Sequence, residues 1–220
     1  MNVLIIGANG KIGRQLTQKL KDSKDFEPIA FLRKEEQVKE FESMDVSTVL
    51  GNLEESVEKL AESFKKADAI VFTAGSGGST GLDKTLAVDL DGAIKSVEAA
   101  EEAGVKRYVM VSASHADDRE FWEKSGIKSY YIAKHYADRF LKESNLNYTI
   151  LRPVMLTDDD GKEKITASNN PDKVEQKIPR EDVASAILRV LDDKNSHRKI
   201  IEISSGETEI ERALQEMLEA

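Results

Sequence analysis

The chain contains no cysteine, which excludes a disulfide scaffold, a thiolate metal site and a cysteine nucleophile. Three histidines leave little for a histidine-rich metal centre, and no metal site is expected. Only four prolines and thirteen glycines interrupt 220 residues, so long helices and strands are permitted. No stretch approaches the roughly 18 apolar residues of a membrane span. The opening run Met1-Asn2-Val3-Leu4-Ile5-Ile6-Gly7 has no basic leader and no cleavage-like site, and is too short for a signal peptide. A cytoplasmic protein that meets no membrane is expected. Basic residues are also in deficit: 32 Lys+Arg against 41 Asp+Glu give a formal charge of −9, which disfavours a nucleic-acid partner.

What is present is enough apolar material for a sizeable core. Hydrophobic residues make up 40% and charged residues 33% of the chain, as expected of one folded domain spanning 1–220. Short aliphatic runs alternate with helical stripes. Val3 to Ile6 reads as a strand covered on both faces, and Ile12, Leu16 and Leu20 then form one helical stripe. Further strands are expected at 28–32, 46–50, 69–73, 107–112, 148–151 and 199–203. Helices are expected at 54–66, 83–103, 129–144, 180–191 and 207–218. Repeated strand-helix-strand units need crossovers, which implies a doubly wound parallel α/β sheet with helices on both faces. The polar stretch 157–178, with Asp158-Asp159-Asp160-Gly161 and Asn169-Asn170-Pro171, reads as a small irregular excursion or substrate-side cap.

Gly7-Ala8-Asn9-Gly10-Lys11-Ile12-Gly13 lies between the first strand and the first helix. Glycines there permit a tight turn and let backbone amides approach a pyrophosphate at the helix N-terminus. The spacing is GxxGxxG. Gly51-Asn52-Leu53 follows the third strand and Thr73-Ala74-Gly75 ends the fourth. Tyr130-Tyr131-Ile132-Ala133-Lys134 and Tyr148-Thr149-Ile150-Leu151-Arg152-Pro153 come later. Together these segments resemble the atypical and extended short-chain dehydrogenase/reductase superfamily, in its NmrA-like and biliverdin-reductase-B-like branch. The resemblance implies a Rossmann-type sheet and a nicotinamide dinucleotide.

On that resemblance Gly7, Asn9, Gly10, Lys11, Ile12 and Gly13 would cradle the pyrophosphate. Asn52 and Leu53 would border the adenine, and Ala74 and Gly75 would pass beneath the riboses. Ser112, Lys134, Pro153 and Val154 would meet the nicotinamide side, with Val154 where relatives usually carry glycine. The second strand ends Ala30-Phe31-Leu32-Arg33-Lys34 with no acid until Glu35. An acid there would repel a 2′-phosphate, whereas Arg33 offers it a planar fork, and Lys11 or Arg14 could add charge. NADP(H) is therefore preferred over NAD(H). The loop Gly75 to Gly81 reads equally as plain flexibility or as a ligand gate.

Tyr130 and Lys134 stand one helical turn apart, on one face. An adjacent ammonium stabilises a phenolate and lowers its pKa, which suits the tyrosine to proton transfer beside a carbonyl. In the superfamily such a pair supplies the acid/base tyrosine, with a serine orienting the substrate oxygen. Ser114 is the candidate for that role, and Ser112 is expected nearer the cofactor. Tyr131 is a competing tyrosine; Phe121 and Trp122 either wall a pocket or seal the core. The expected activity is an NADP(H)-dependent oxidoreductase acting on a small carbonyl, alcohol or other redox substrate, in a monomer or homodimer. The alternatives are a non-catalytic NADP(H) sensor and an epimerase-like relative.

Overall fold

The computed structural model describes residues 1–77 and 80–219. Every strand expected from the aliphatic runs is present. They are β1 (Asn2–Ile6), β2 (Glu27–Leu32), β3 (Ser47–Leu50), β4 (Ala69–Phe72), β5 (Arg107–Val111), β6 (Asn147–Pro153) and, near the C-terminus, β10 (Lys199–Ser205). Their order is β10-β6-β5-β4-β1-β2-β3, parallel throughout. The order reverses between β1 and β4, which opens a crevice at the carboxyl ends of those two strands.

Alternation within β1 shows why the run had to be aliphatic: Val3 and Ile5 enter one core layer, Leu4 and Ile6 the other. The first layer packs α1 (Lys11–Asp22) through Leu16 and Leu20, and α2 (Glu35–Ser43) through Phe41. The second receives Leu60 and Phe64 of α3 (Val57–Phe64). The long helix expected at 83–103 is divided. Three residues of α4 (Leu82–Lys84) lead into a π-helical stretch, Thr85–Gly92, before α5 (Ala93–Glu102) resumes α-geometry. The widened stretch carries Asp89, which is buried. Such π segments often accompany functional sites.

After β5 come α6 (Arg119–Lys124) and α7 (Lys128–Glu143); α7 buries Ala137 and Leu141 in the second layer. The polar excursion is more ordered than its composition suggests. It forms β7 (Met155–Thr157), β8 (Lys164–Ser168) and β9 (Lys177–Pro179). Strands β7 and β9 pair with each other as a small parallel ribbon, and β8 adds antiparallel to β10. Buried Ile165 and Ile178 anchor it to the first core layer, and this is the signal that the polar residues around them masked. The chain then closes with α8 (Arg180–Val190) ahead of β10, and with β11 (Thr208–Glu209) and α9 (Ile210–Glu219) after it. No described helix is long and apolar enough to cross a membrane.

Candidate functional site

The chain leaves β1 through Gly7, whose φ of +91° lies in the left-handed region. A Cβ there would also stand 2.6 Å from the Ala74 backbone nitrogen, so both conformation and space demand glycine. Gly13 is fixed by packing: its Cβ would meet Gly7 O at 2.3 Å and Ala8 Cα at 2.7 Å. The first turn of α1 therefore lies directly on the strand-to-helix loop. Gly10 caps the helix without a side chain, and no acidic residue occupies the first turn. The leading amides of α1 face the crevice with the positive end of the helix dipole.

A cleft of about 380 Å³ opens in front of this loop. Its walls bring together Gly7, Asn9, Gly10, Arg33, Asn52, Leu53, Ala74 and Gly75, eight of the residues singled out in the sequence. Arg33 is exposed and, among the described residues, forms no ion pair. The other two cations near the loop are engaged. Arg14 makes a two-pronged contact to Glu40, at 2.8 and 2.9 Å, and holds the Asn9 side chain. Lys11 pairs with Asp158, which also accepts from Arg180 at 2.6 Å. Ile12 has its side chain buried in the core, which leaves only its backbone amide to offer a ligand. An apolar-floored cleft with a left-handed glycine turn, free helix amides and an unpaired guanidinium fits the adenosine half of a dinucleotide. Part of the loop beyond Gly75 can be placed; Gly78 and Ser79 lie outside the described residues.

A second cavity, about 640 Å³, lies beyond the carboxyl ends of β5 and β6. Ser112, Ser114, Tyr130, Pro153 and Val154 line it. Phe121 and Tyr131 form part of its aromatic wall, with ring centroids 5.4 Å apart. Trp122 instead is buried in the protein and donates to His115 O at 3.0 Å. That bond helps hold His115 at a φ of +60°, stacked on Phe121 at 4.2 Å. Val154 donates its N–H to Ile203 O at 3.2 Å, so that amide is committed to the sheet.

Tyr130 and Lys134 lie one turn apart on α7, with Lys134 Nζ 5.7 Å from the Tyr130 ring centroid. Lys134 itself is buried, donates to Val111 O at 3.2 Å and stands 3.8 Å from Asp89 Oδ1. It lines neither cavity. The ammonium was expected to lower the phenol's pKa, but the protein's own groups act in the opposite direction. Burial, then the charges of Asp89 and Asp138, hold the Tyr130 phenol above its ordinary value. Asp89 answers the lysine charge that would otherwise act on the ring.

Beneath the second cavity lies a charged network that the strand reading, which ended at Leu151, passed over. Arg152 of β6 donates Nε to Asp138 at 2.9 Å and Nη2 to Asp117 at 2.8 Å. Ser112 spends its hydroxyl on the same Asp138, at 2.9 Å. Glu202 of β10 is paired in register with Arg152 and lies 3.5 Å from its Nη1. Two carboxylates were hidden by position: Asp138 falls between Ala137 and Arg139 on α7, and Glu202 interrupts an aliphatic strand. The interruption, Ile201-Glu202-Ile203, was the available signal.

An NAD(P)H-binding family model matches residues 7–194. The chain is 46% identical over 217 residues to a Bacillus subtilis protein described as an uncharacterized sugar epimerase, covering 99% of this chain and 100% of that one. It resembles a solved Bacillus halodurans structure described as a putative NAD-dependent epimerase/dehydratase. That match has a TM-score of 0.91 at 39% identity and covers 98% and 99% of the two chains. A Lactococcus lactis structure described as an oxidoreductase superposes with a TM-score of 0.90 at 34% identity, over 100% of this chain and 98% of that one. With its glycine turn, switch-point cleft and parallel Rossmann-type sheet, the chain belongs to the NAD(P)H-binding family.

Proposed function

We propose that this protein is an NADP(H)-dependent oxidoreductase that interconverts a small carbonyl compound and its alcohol, or a comparable redox pair. The observation that carries the proposal is the convergence of Tyr130 and Ser114 on one cavity beyond the carboxyl ends of β5 and β6, near the cleft at the glycine turn. A reduced nicotinamide dinucleotide held at the glycine-turn cleft would supply a hydride. Tyr130 gives a proton to the substrate oxygen as that oxygen gains charge, and takes it back in the reverse direction. A neutral phenol is the form needed for donation, and burial favours it. Lys134 offsets the negative charge of Asp89 beside the ring and steadies the phenolate left after transfer. Ser114, which lines the same cavity, orients the substrate oxygen.

NADP(H) is favoured over NAD(H) by Arg33, which stands at the adenosine end of the cleft without an acidic partner among the described residues. The names of two relatives support an epimerase-like variant, in which the same tyrosine serves a transient keto intermediate. Against a nucleotide-sugar substrate stands the small size of the segment after β6. A sensing role without turnover is favoured by one observation, the commitment of the Val154 amide to Ile203.

The test is NADPH consumption against aldehydes, ketones, quinones and flavins, with Tyr130→Phe as the control. Turnover in the wild type, lost by about 100-fold or more in Tyr130→Phe, supports the oxidoreductase. Tight NADPH binding with both proteins inactive against the whole panel supports the sensor.

A further inference from the structure

Three carboxylates, Asp117, Asp138 and Glu202, converge on the single guanidinium of Arg152. The first two take its well-formed hydrogen bonds, at 2.8 to 2.9 Å, and Glu202 is left with the longest approach, 3.5 Å. Glu202 is 2% exposed, and its Oε2 is buried without a hydrogen-bond partner. Ser114 Oγ is likewise buried and unpartnered, although the Ser114 backbone is fixed by its N–H donating to Pro153 O at 2.9 Å. The serine hydroxyl and the carboxyl are neighbours, and the serine lines the cavity. Two buried polar atoms without partners, on neighbouring side chains of which one belongs to a cavity-lining residue, leave a hydrogen bond uncommitted whose direction depends on a proton.

We infer that Glu202 is a positioning residue that sets the polarity of the Ser114 hydroxyl. When the carboxyl is neutral, it donates its O–H to Ser114 Oγ, and the serine hydrogen is free to point at the substrate oxygen. When the carboxyl is ionised, it accepts the serine hydrogen, and the cavity faces lone pairs instead. Loss of one donor to an oxygen that gains charge during reduction lowers the rate by about 100-fold. The site is thereby gated by pH without movement of the backbone, a regulation that rests on the hydride-transfer reading above.

The surroundings favour the neutral form and bring its titration close to neutrality. The groups that face Glu202 are Arg152 from β6, Asp138 and Tyr131 from α7, Ser114 from the loop after β5 and, across the register, Ser168 of β8. Asp117 reaches the same cluster through Arg152. Burial pushes the Glu202 carboxyl up to about 7, while Ser114 and Arg152 restrain the rise.

Two measurements on the full-length protein decide the matter. The first needs no turnover. Infrared difference spectroscopy across pH 5 to 9 is expected to show a protonated carboxyl band that titrates near neutrality. The band should vanish in Glu202→Gln and move in frequency in Ser114→Ala, because its hydrogen-bond acceptor is gone. A band that ignores Ser114→Ala, or a Glu202 that titrates in the ordinary carboxylate range, overturns the inference whether or not the protein is active.

The second is the pH dependence of kcat/KM for whichever carbonyl is reduced. Wild type is expected to fall about 100-fold between pH 6 and 9. That limb should disappear in Glu202→Gln, whose amide can still donate to the serine, and persist in His115→Asn. An active enzyme whose limb survives in Glu202→Gln sinks the inference and leaves the oxidoreductase standing. Absence of any turnover sinks the oxidoreductase, and the infrared result then stands by itself.

Discussion

Lys134 Nζ lies 3.8 Å from Asp89 Oδ1, and both side chains are almost wholly buried, at 4% and 1% exposure. The pair joins the helix that carries Tyr130 to the π-helical stretch that follows the glycine-rich loop. Asp89 Oδ2 also accepts from the Ser76 N–H at 2.9 Å, so the same carboxylate holds the start of that loop.

Asp89→Asn keeps the volume and can still accept from Ser76, but it leaves Lys134 buried without its counter-charge. Breaking a buried pair on one side costs about 3 to 5 kcal/mol, and urea denaturation at pH 7 is expected to show a loss of that order. Because the Asp89 charge helps hold the Tyr130 phenol above its ordinary value, the phenol should ionise at lower pH in this variant. A tyrosinate absorbance titration that shows no such movement would separate Asp89 from the candidate acid.

Gly13→Ala tests the seat of the first helix. The added methyl meets Gly7 O at 2.3 Å and Ala8 Cα at 2.7 Å, both backbone atoms that cannot swing aside. Overpacking of this kind costs about 1 to 3 kcal/mol, and displacement of α1 from the glycine turn should weaken NADPH binding at least tenfold. Unchanged affinity in a folded variant would show that the α1 amides do not contact the dinucleotide.

The stability of the protein should carry the signature of Glu202. Its folded pKa, about 7, lies above the reference carboxyl value of 4.5. The neutral carboxyl is favoured by the fold, so the associated stability is complete below about pH 4.5 and is lost as pH rises through about 7. At about 1.4 kcal/mol for each pKa unit, the loss is of the order of 3 kcal/mol. Glu202→Gln should therefore be more stable than wild type at pH 8 and gain no such advantage at pH 4. Denaturant unfolding at the two pH values checks the sign.

How much of this was legible beforehand divides along a physical line. Strands such as Val3–Ile6 announce themselves because burial on both faces requires an unbroken aliphatic run, and the glycine turn because only glycine tolerates Gly7's conformation. Asp89 was not legible: a π-helical stretch has no spacing signature, and its neighbours Leu90 and Asp91 make it look like solvated helix. The excursion over 155–179 was hidden because Ile165 and Ile178 are its only fully buried aliphatics amid mostly polar residues. The Arg152 cluster depends on side chains from β6, β10 and α7 meeting in space, which no local pattern encodes. The direction of the Tyr130 shift was missed for the same reason: the Lys134 partner was visible one turn away, and the burial and Asp89 were not.

The account turns on the crevice at the glycine turn holding a phosphorylated dinucleotide, and one titration addresses it most directly. NADPH and NADH are each added to the purified protein while nicotinamide fluorescence and thermal shift are followed, with wild type and Arg33→Glu in parallel. The account predicts tighter binding of NADPH than of NADH in the wild type. It also predicts that Arg33→Glu erases or reverses that difference by weakening NADPH alone. Equal affinity for the two cofactors in both proteins would contradict the role given to Arg33, and binding of neither would contradict the central claim.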